Sequence, residues 1–357
     1  MLKNKEQKEL IFGSEETKIP KYYDGLDGLR TISALGIVSM HVLTNGDYII
    51  NGFLFDNVIS SLGVLVYLFM MLSSFSMCCG YFDKILYNKI TVQEFYGRRY
   101  SKVWPFFALL CVIDFIVSPS INSVYEVFAN LTLCFGLLPN ANISVIGVGW
   151  FLGTIFVFYI MFPFFCYLLS DKRRAWLSFM IAFLFNIICQ IYFFDTNHGT
   201  TGGNTNIIYN AVFFIVGGLI FLYRDNLEKI CKSKKILAHF ICIIMITIYL
   251  CGFQNLMIKL IMFTAILVNA IGASRGILQN RVTKFCSGIS MEIYLCHMFI
   301  FRIIEKIHIV HLFPSDILSY ALVVVLTFIG AVVFSIAVNK ILNIIRCIIK
   351  RVIKICT

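Results

Sequence analysis

The chain has 357 residues, of which 59% are hydrophobic and 14% are charged. Its mean hydropathy is +0.85, and soluble domains carry about 25% charged residues, so the composition excludes an ordinary soluble globular protein. The net charge of +11 does not indicate a nucleic-acid partner. The lysines and arginines lie in short connections between apolar stretches, which is the positive-inside pattern of membrane proteins.

Apolar stretches of nearly membrane-spanning length recur along the chain and predict ten transmembrane helices. The predicted spans are residues 27–45, 58–80, 104–118, 149–169, 175–194, 207–223, 236–251, 256–273, 286–304 and 316–339. We therefore expect an all-α, polytopic helical bundle. Its predicted regions are a cytoplasmic N-terminal segment 1–26, a membrane domain 27–339 and a basic interfacial tail 340–357.

The basic residues predict which side of the membrane each connection faces. Lys and Arg cluster in alternate connections, starting with the N-terminal segment, whereas connections 46–57 and 195–206 contain none. With ten spans, this alternation places both termini in the cytoplasm. The short apolar piece 127–138 would invert the alternation if it crossed. We therefore expect it to be a re-entrant or interfacial piece within one outer connection, 119–148.

Arg30 and His41 are the first candidates for chemistry, because ionisable side chains inside an apolar span are energetically expensive. Eleven helical steps bring these two residues to within about 20° of one another around the axis, and separate them by ~16 Å along it. Arg30 would lie near the cytoplasmic mouth and His41 in the outer half. This spacing suits a long substrate with an anionic head and a distant reactive group. The structural alternative is that Arg30 anchors the helix end and His41 packs between helices.

Four sequence blocks, taken in order, resemble the membrane-bound acyltransferase-3 family. They are DGLR at 27–30 followed by His41, FYGRRYSKVWP at 95–105, WFL at 150–152 with FY at 158–159, and GISMEIYLCH at 288–297. The resemblance covers about residues 22–340. It implies a membrane acyltransferase that moves an acyl group from cytoplasmic acyl-CoA to a hydroxyl of an extracytoplasmic or lipid-linked carbohydrate. Lys102 and Trp104 depart from it, since the family usually has Arg and Tyr there.

The resemblance implies a role for each candidate residue. His41, with Arg30, would be catalytic, as a general base or as an acyl acceptor. Arg98, Arg99 and Lys102 would bind the phosphates of acyl-CoA, for which cationic donors are well suited. Their alternative interpretation is that of ordinary positive-inside anchors.

A second group of candidates would orient the acceptor or the acyl centre. It comprises Tyr294, His297, Trp150 and Tyr159. Tyr294 and His297 are three residues apart and share a helix face, although plain helix packing would explain them as well.

Two further acids lie in predicted spans. Glu292 could form a structural ion pair with Lys259 or Arg302, and Asp114 has no partner that the sequence identifies.

No tightly bound cofactor and no metal site is expected, and acyl-CoA, with acetyl the commonest group in the family, would be the donor substrate. We read the thirteen cysteines as small buried hydrophobic residues. The expected partners are the lipid bilayer and a carbohydrate acceptor, in the plasma or inner membrane of a bacterium. The alternative function is a secondary transporter or flippase for a glycan-related substrate, but the sequence shows no internal repeat of the kind common in transporters.

Overall fold

The computed structural model describes residues 21–138, 145–192, 205–273, 276 and 279–356, and the regular structure in these ranges is all helical. The α-helices are α1 (Gly25–Asn45), α2 (Leu65–Leu86), α3 (Val92–Val117), α4 (Ile121–Leu131), α5 (Trp150–Ile160), α6 (Phe162–Leu169), α7 (Lys172–Tyr192), α8 (Ile207–Leu222), α9 (Arg224–Ser233), α10 (Lys235–Leu250), α11 (Leu256–Gly272), α12 (Arg281–Gly288), α13 (Ser290–Lys306) and α14 (Asp316–Cys356). The all-α class predicted from the sequence is confirmed for the described ranges.

Five helical segments are long and apolar enough to cross a membrane. They are α1, α3, α7, the segment Leu54–Leu86 (of which α2 is the last part) and the Asp316–Ile349 part of α14. Three more candidates are helix pairs with a sharp bend: α5–α6 at 59°, α8–α9 at 75° and α12–α13 at 75°. Adding the shorter apolar helices α10 and α11 would give the predicted ten. The exact number of spans and the side of the termini stay predictions.

The connection after α3 turns back along that helix. The indole Nε1 of Trp104 donates a hydrogen bond to the carbonyl of Leu131, at 2.8 Å, so the end of α4 lies beside the first half of α3. Further on, a Cβ added to Gly136 would lie 2.5 Å from the carbonyl carbon of Gly153, so only glycine allows this approach to α5. With 11 residues, α4 is about 16 Å long, too short to cross. This geometry agrees with a re-entrant piece at 127–138.

The C-terminal region, for which the sequence predicts a basic interfacial tail at 340–357, is helical as far as Cys356. Its interfacial position stays a prediction. α14 continues without a break from Asp316 to Cys356, through the predicted boundary at residue 340. The guanidinium of Arg346 donates a hydrogen bond to the carbonyl of Ser101, at the start of α3. Nothing in the sequence from Lys340 onwards breaks a helix, since the segment lacks Pro and Gly.

α1 is the central helix of the described structure. It packs against α2, α11, α12, α13 and α14. Its first half lies in the large apolar core, and its second half shares a smaller core with the ends of α13 and α14, which includes Val42, Phe301 and Val323. The helix that carries Arg30 and His41 therefore contacts five other helices, although Ile32 and Leu35 on it are exposed.

Candidate active site

A cavity of about 420 Å³ lies beside the first half of α1, between α2, α3, α5 and the bend that joins α12 to α13. This volume falls in the usual range for ligand sites, ~300–1,000 Å³. Its charged lining residues are Arg30, Arg99, Lys102, Lys284, Asp27 and Glu292. Four positive side chains against two negative ones leave a net positive charge. We call this space the basic cavity.

Asp27 organises the wall that α1 contributes to the basic cavity. Its carboxylate is almost completely buried, and it accepts a hydrogen bond from Ser287 Oγ at 2.6 Å and another from the hydroxyl of Tyr22. The same carboxylate lies 3.4 Å from Nη1 of Arg30. Because Ser287 stands at the bend between α12 and α13, Asp27 ties that bend to the start of α1.

Arg30 is held from two sides. Besides the contact with Asp27, its Nη2 donates a hydrogen bond to Ser76 Oγ on α2. A guanidinium has five N–H donors, so the two contacts fix its position while other donors are left for an anionic ligand. Arg30 therefore lies at the cavity wall.

Arg99 enters the cavity from α3 between two aromatic rings. Its guanidinium carbon lies 4.7 Å from the ring centroid of Tyr81 and 5.6 Å from that of Tyr159, which are cation–π distances. α3 starts at a capping box, in which Thr91 and Glu94 exchange hydrogen bonds of 3.1 Å. This cap fixes the helix start, and so the direction in which Arg99 points one to two turns later.

The structure separates the three basic residues that the sequence grouped as acyl-CoA ligands. Arg99 and Lys102 line the basic cavity, whereas Arg98 is exposed and does not line it. Consecutive helical residues point about 100° apart, so α3 cannot turn Arg98 and Arg99 into the same space. The two residues that line the cavity, Arg99 and Lys102, are three positions apart and so lie on the same side of α3.

Tyr294 and His297 connect the basic cavity to His41. Tyr294 lines the cavity, and its hydroxyl donates to the carbonyl of Val148 at 2.8 Å. His297 follows on the same face of α13, with ring centroids 5.9 Å apart. The ring of His297 in turn lies 5.2 Å from that of His41 on α1. The sequence candidates on the first and penultimate helices thus form one continuous row of rings.

The hydrogen bond of His297 defines its tautomer. Its Nδ1 lies 2.6 Å from the carbonyl oxygen of Tyr294, and since a carbonyl only accepts, Nδ1 carries the proton. The residue is fully buried, and Nε2 has no hydrogen-bond partner within the described ranges. In the neutral ring this nitrogen is an acceptor, and the half-buried ring of His41 is the polar group beside it.

The two aromatic candidates on α5 occupy different places. Tyr159 lines the basic cavity and faces Arg99. Trp150 does not line it, but packs edge-on against Phe151 with centroids 6.2 Å apart. Phe151 lines the cavity and makes an edge contact with Tyr294 at 5.3 Å. Trp150 therefore supports the wall without facing the space.

Glu292 does not make the ion pair considered from the sequence. Its carboxylate lies near Asn339 on α14 and interacts electrostatically with Lys102, which also lines the basic cavity. Lys259 lies instead over the ring of Tyr67, at 5.9 Å from its centroid.

Asp114, for which the sequence identified no partner, interacts electrostatically with Arg302. The two residues lie on α3 and α13, and neither lines the basic cavity. Both acids therefore have partners on neighbouring helices that sequence spacing could not identify.

Several cavity residues were missed by sequence reasoning. They are Tyr22, Ser73, Ser76, Lys284, Ser287 and Ser290. They lie on several helices and turns, with Ser73 and Ser76 on α2 and Lys284 and Ser287 on α12, and nothing in the sequence shows that these elements meet around one space. The ammonium of Lys284 lies 4.8 Å from the ring centroid of Tyr22.

Within the described ranges, no three His, Cys, Asp or Glu residues lie close enough together to hold a metal ion. The cysteines described there are all free, and most are buried.

Comparison with known proteins gives one match. The model of the acyltransferase-3 family, described as an acyltransferase domain, matches residues 23–338. That range contains every cavity residue named above except Tyr22. No curated protein and no solved structure gives a significant match.

Proposed function

Because the chain belongs to the acyltransferase-3 family and is a multi-pass membrane acyltransferase, we propose that it moves an acyl group from cytoplasmic acyl-CoA to a carbohydrate hydroxyl. Acetyl is the first choice for the acyl group, and the acceptor is an extracytoplasmic or lipid-linked glycan. The observation that carries this proposal is the basic cavity, from whose wall a row of rings leads to His41.

The basic cavity suits the anionic part of the donor. Arg30, Arg99 and Lys102 come from two helices and converge on one space. Guanidinium groups make strong, charge-assisted hydrogen bonds to phosphate, often through two parallel N–H donors. The aromatic clamp on Arg99 and the contacts of Arg30 hold both side chains in place before the donor binds, which lowers the entropic cost of binding.

The length of α1 matches the length of the donor. Arg30 and His41 are separated by ~16 Å along the helix, about half of the ~30 Å hydrocarbon thickness. A pantetheine arm is long enough to span this distance. With its phosphates at Arg30 and Arg99, the thioester of acyl-CoA would reach the level of His41.

His41 then has two routes to transfer. In the first, its ring nitrogen takes the proton from the acceptor hydroxyl as the oxygen attacks the thioester carbon, the C–S bond breaks and the departing CoA sulfur recovers the proton. In the second, the ring nitrogen attacks the thioester carbon, the C–S bond breaks and CoA leaves as the thiol; the acceptor hydroxyl then attacks the acyl-histidine, the N–C bond breaks and the ring nitrogen recovers the hydroxyl proton. Both routes give an ester and free CoA. The unpaired Nε2 of His297 can accept a hydrogen bond from the His41 ring and so orient it.

We further propose a place in the plasma or inner membrane of a bacterium, with the basic cavity opening to the cytoplasm. The family assignment favours the acyltransferase over the transporter or flippase considered from the sequence. A transporter would move the glycan without changing it, whereas the row from the basic cavity to His41 provides for a chemical step.

The test is the ester content of surface glycans. Cells with and without the protein would be treated with mild base, and the released acyl groups quantified by chromatography. We expect the ester-linked acyl group to disappear without the protein and to return when the wild-type chain is restored. Unchanged ester content would contradict a carbohydrate acceptor.

A further inference from the structure

A second polar cavity, of about 230 Å³, lies at the opposite end of α1 from the basic cavity. It is lined by Asn45, Gly46, Asp47, Glu305, His308, Val310 and His311. This lining contains two carboxylates and neither Lys nor Arg, so its charge is opposite to that of the basic cavity. We call this space the acidic pocket.

The acidic pocket lies further along α1 than His41 and further along α13 than His297. On α1, Asn45 follows His41 by four residues, which places it on nearly the same face and ~6 Å further along the axis. Its Nδ2 donates to the carbonyl of His41 at 2.8 Å. On α13, Glu305 follows His297 by eight residues, or ~12 Å. α1 and α13 therefore lead from the two histidines to the same pocket.

On one side of the acidic pocket, the position of His311 is fixed by contacts with neighbouring residues. The ring of His311 lies 5.3 Å from that of Tyr48, and its Nδ1 is 3.7 Å from a carboxylate oxygen of Asp316. Asp316 also accepts a hydrogen bond from the backbone N–H of Ile49 at 2.8 Å. Beneath this side, Val310 belongs to the small core at the ends of α1, α13 and α14. The segment after α1 and the segment before α14 are thus joined around His311.

The other side presents unpaired acceptors. The side chains of Asp47 and Glu305 are exposed, and no hydrogen bond or ion pair involves either carboxylate in the part of the chain that the structure describes. Carboxylates accept hydrogen bonds from hydroxyl groups, an amide can donate and accept, and a neutral imidazole does both. With no cation in the lining, the pocket suits a ligand with many hydroxyls and no negative charge.

We propose that the acidic pocket binds the acceptor as a single uncharged sugar residue and holds one hydroxyl towards His41. This inference rests on the proposed function. The volume is below the ~300 Å³ at which pockets for drug-sized ligands begin, so one ring fits and acyl-CoA does not. Asp47 and Glu305 disfavour sugars that carry a carboxylate or a phosphate. The two cavities therefore select their substrates by opposite charge, with the histidine pair between them.

The experiment is saturation-transfer NMR on the full-length protein in detergent, with methyl glucoside and methyl glucuronide as probes. They have the same ring and differ in one carboxylate. We expect a signal from methyl glucoside but not from methyl glucuronide on the wild type. Glu305→Lys should admit methyl glucuronide, because the variant replaces a repelling charge with an attracting one. Glu126→Gln on α4, which removes an acid outside the pocket, should behave as the wild type.

The outcomes distinguish this inference from the proposed function. Equal signals from both sugars on the wild type and on Glu305→Lys would overturn the pocket assignment. So would undiminished surface acylation in a folded Asp47→Lys, Glu305→Lys double variant, and the proposed function would then survive. If the sugar signals follow the prediction but no surface glycan loses its ester without the protein, the pocket stands as a sugar site, and its role as acceptor site fails with the proposed function.

Discussion

The two polar cavities lie at opposite ends of α1 and are built in opposite ways. The basic cavity is enclosed by helices and fixed by side-chain contacts, as at Asp27, which holds Tyr22, Arg30 and Ser287. The acidic pocket is formed where α1 and α13 end, by the last residues of these helices and the turns that follow, and most of its side chains are exposed. Two of its residues, Asp47 and His308, have φ angles of 50° and 59°, which lie in the left-handed region that non-glycine residues seldom adopt.

This difference indicates different tasks. A donor that is the same in every cycle is best bound by a preorganised site, since fixed donors lose little entropy on binding. An acceptor at the end of a larger glycan needs an open site that admits a bulky remainder. Substitutions in the basic cavity should therefore affect stability and donor affinity together. Substitutions in the acidic pocket should affect acceptor choice alone.

The largest effect is expected at His41, which belongs to neither cavity but serves both. His41→Ala should lower acyl transfer by ~10²–10⁴-fold, the usual contribution of a positioned general base, and should leave CoA affinity unchanged. The measurements are ester content of the surface glycan and calorimetric titration with CoA. His239→Ala, on α10 and remote from both cavities, is the control. Full transfer by His41→Ala would remove the catalytic assignment.

Arg99 and its neighbour Arg98 give the sharpest test of the donor site. Arg99→Ala should weaken CoA binding by roughly tenfold to a hundredfold, because a hydrogen bond to a charged group contributes about 1.5–3 kcal/mol. Arg98→Ala removes the same charge from the exposed face of α3 and should leave the affinity nearly unchanged. Titrations with CoA and dephospho-CoA measure both. Equal losses in the two variants would mean that net charge, and not the basic cavity, attracts the donor.

An aspartate-to-asparagine substitution at each end of α1 tests whether the basic cavity is more rigidly fixed than the acidic pocket. Asp27→Asn should lower the free energy of unfolding by about 1–3 kcal/mol, since it weakens buried hydrogen bonds to a charged group, and should weaken CoA binding through Arg30. Asp47→Asn should change stability by less than about 0.5 kcal/mol, as is usual at exposed positions. Thermal unfolding in detergent measures the stability of the two variants, and titration with CoA measures their affinity for the donor. Similar stability losses would contradict the contrast between a fixed and an open site.

The smallest effect is expected from Glu228 on α9, a polar helix that follows the predicted span 207–223 and so lies outside it. Burial opposes its charge, but hydrogen bonds from Lys21 and Lys232 outweigh burial and hold the pKa of this carboxyl below its ordinary value of 4.5. A depressed folded pKa gives stability that is present above pH 4.5 and is lost as the pH falls through the folded value. Since Lys21 precedes Tyr22, this contact also supports the cavity rim.

The corresponding measurement is the melting temperature of the wild type and of Glu228→Gln between pH 7 and about pH 3.5. We expect the wild type to be slightly more stable at neutral pH and the difference to shrink below pH 4.5. Lys21 is half exposed, so solvent screening keeps the effect small. A difference that is constant with pH would show that the charge of Glu228 does not contribute.

The sequence by itself determined the class of the protein and the helix on which the candidate catalytic residues lie. Apolar length requires helices, because a lipid environment leaves no other partner for backbone groups, and helical periodicity put Arg30 and His41 on one face of α1. The ordered motifs indicated the acyltransferase-3 family, which the family match confirms. These inferences depend on local periodicity and composition, which can be read directly from the sequence.

Only the tertiary structure decided which side chains share a space. The choice of Arg99 over Arg98 depends on the rotation of α3 against its neighbours, and the partner of Glu292 depends on how α14 packs. Ser76, Lys284 and Ser287 lie on α2 and α12, and their approach to Arg30 and Asp27 has no signature in sequence spacing. The acidic pocket likewise exists because two helices distant in the chain, α1 and α13, end side by side. Such contacts arise from the packing of whole helices, a property of the fold that no local pattern contains.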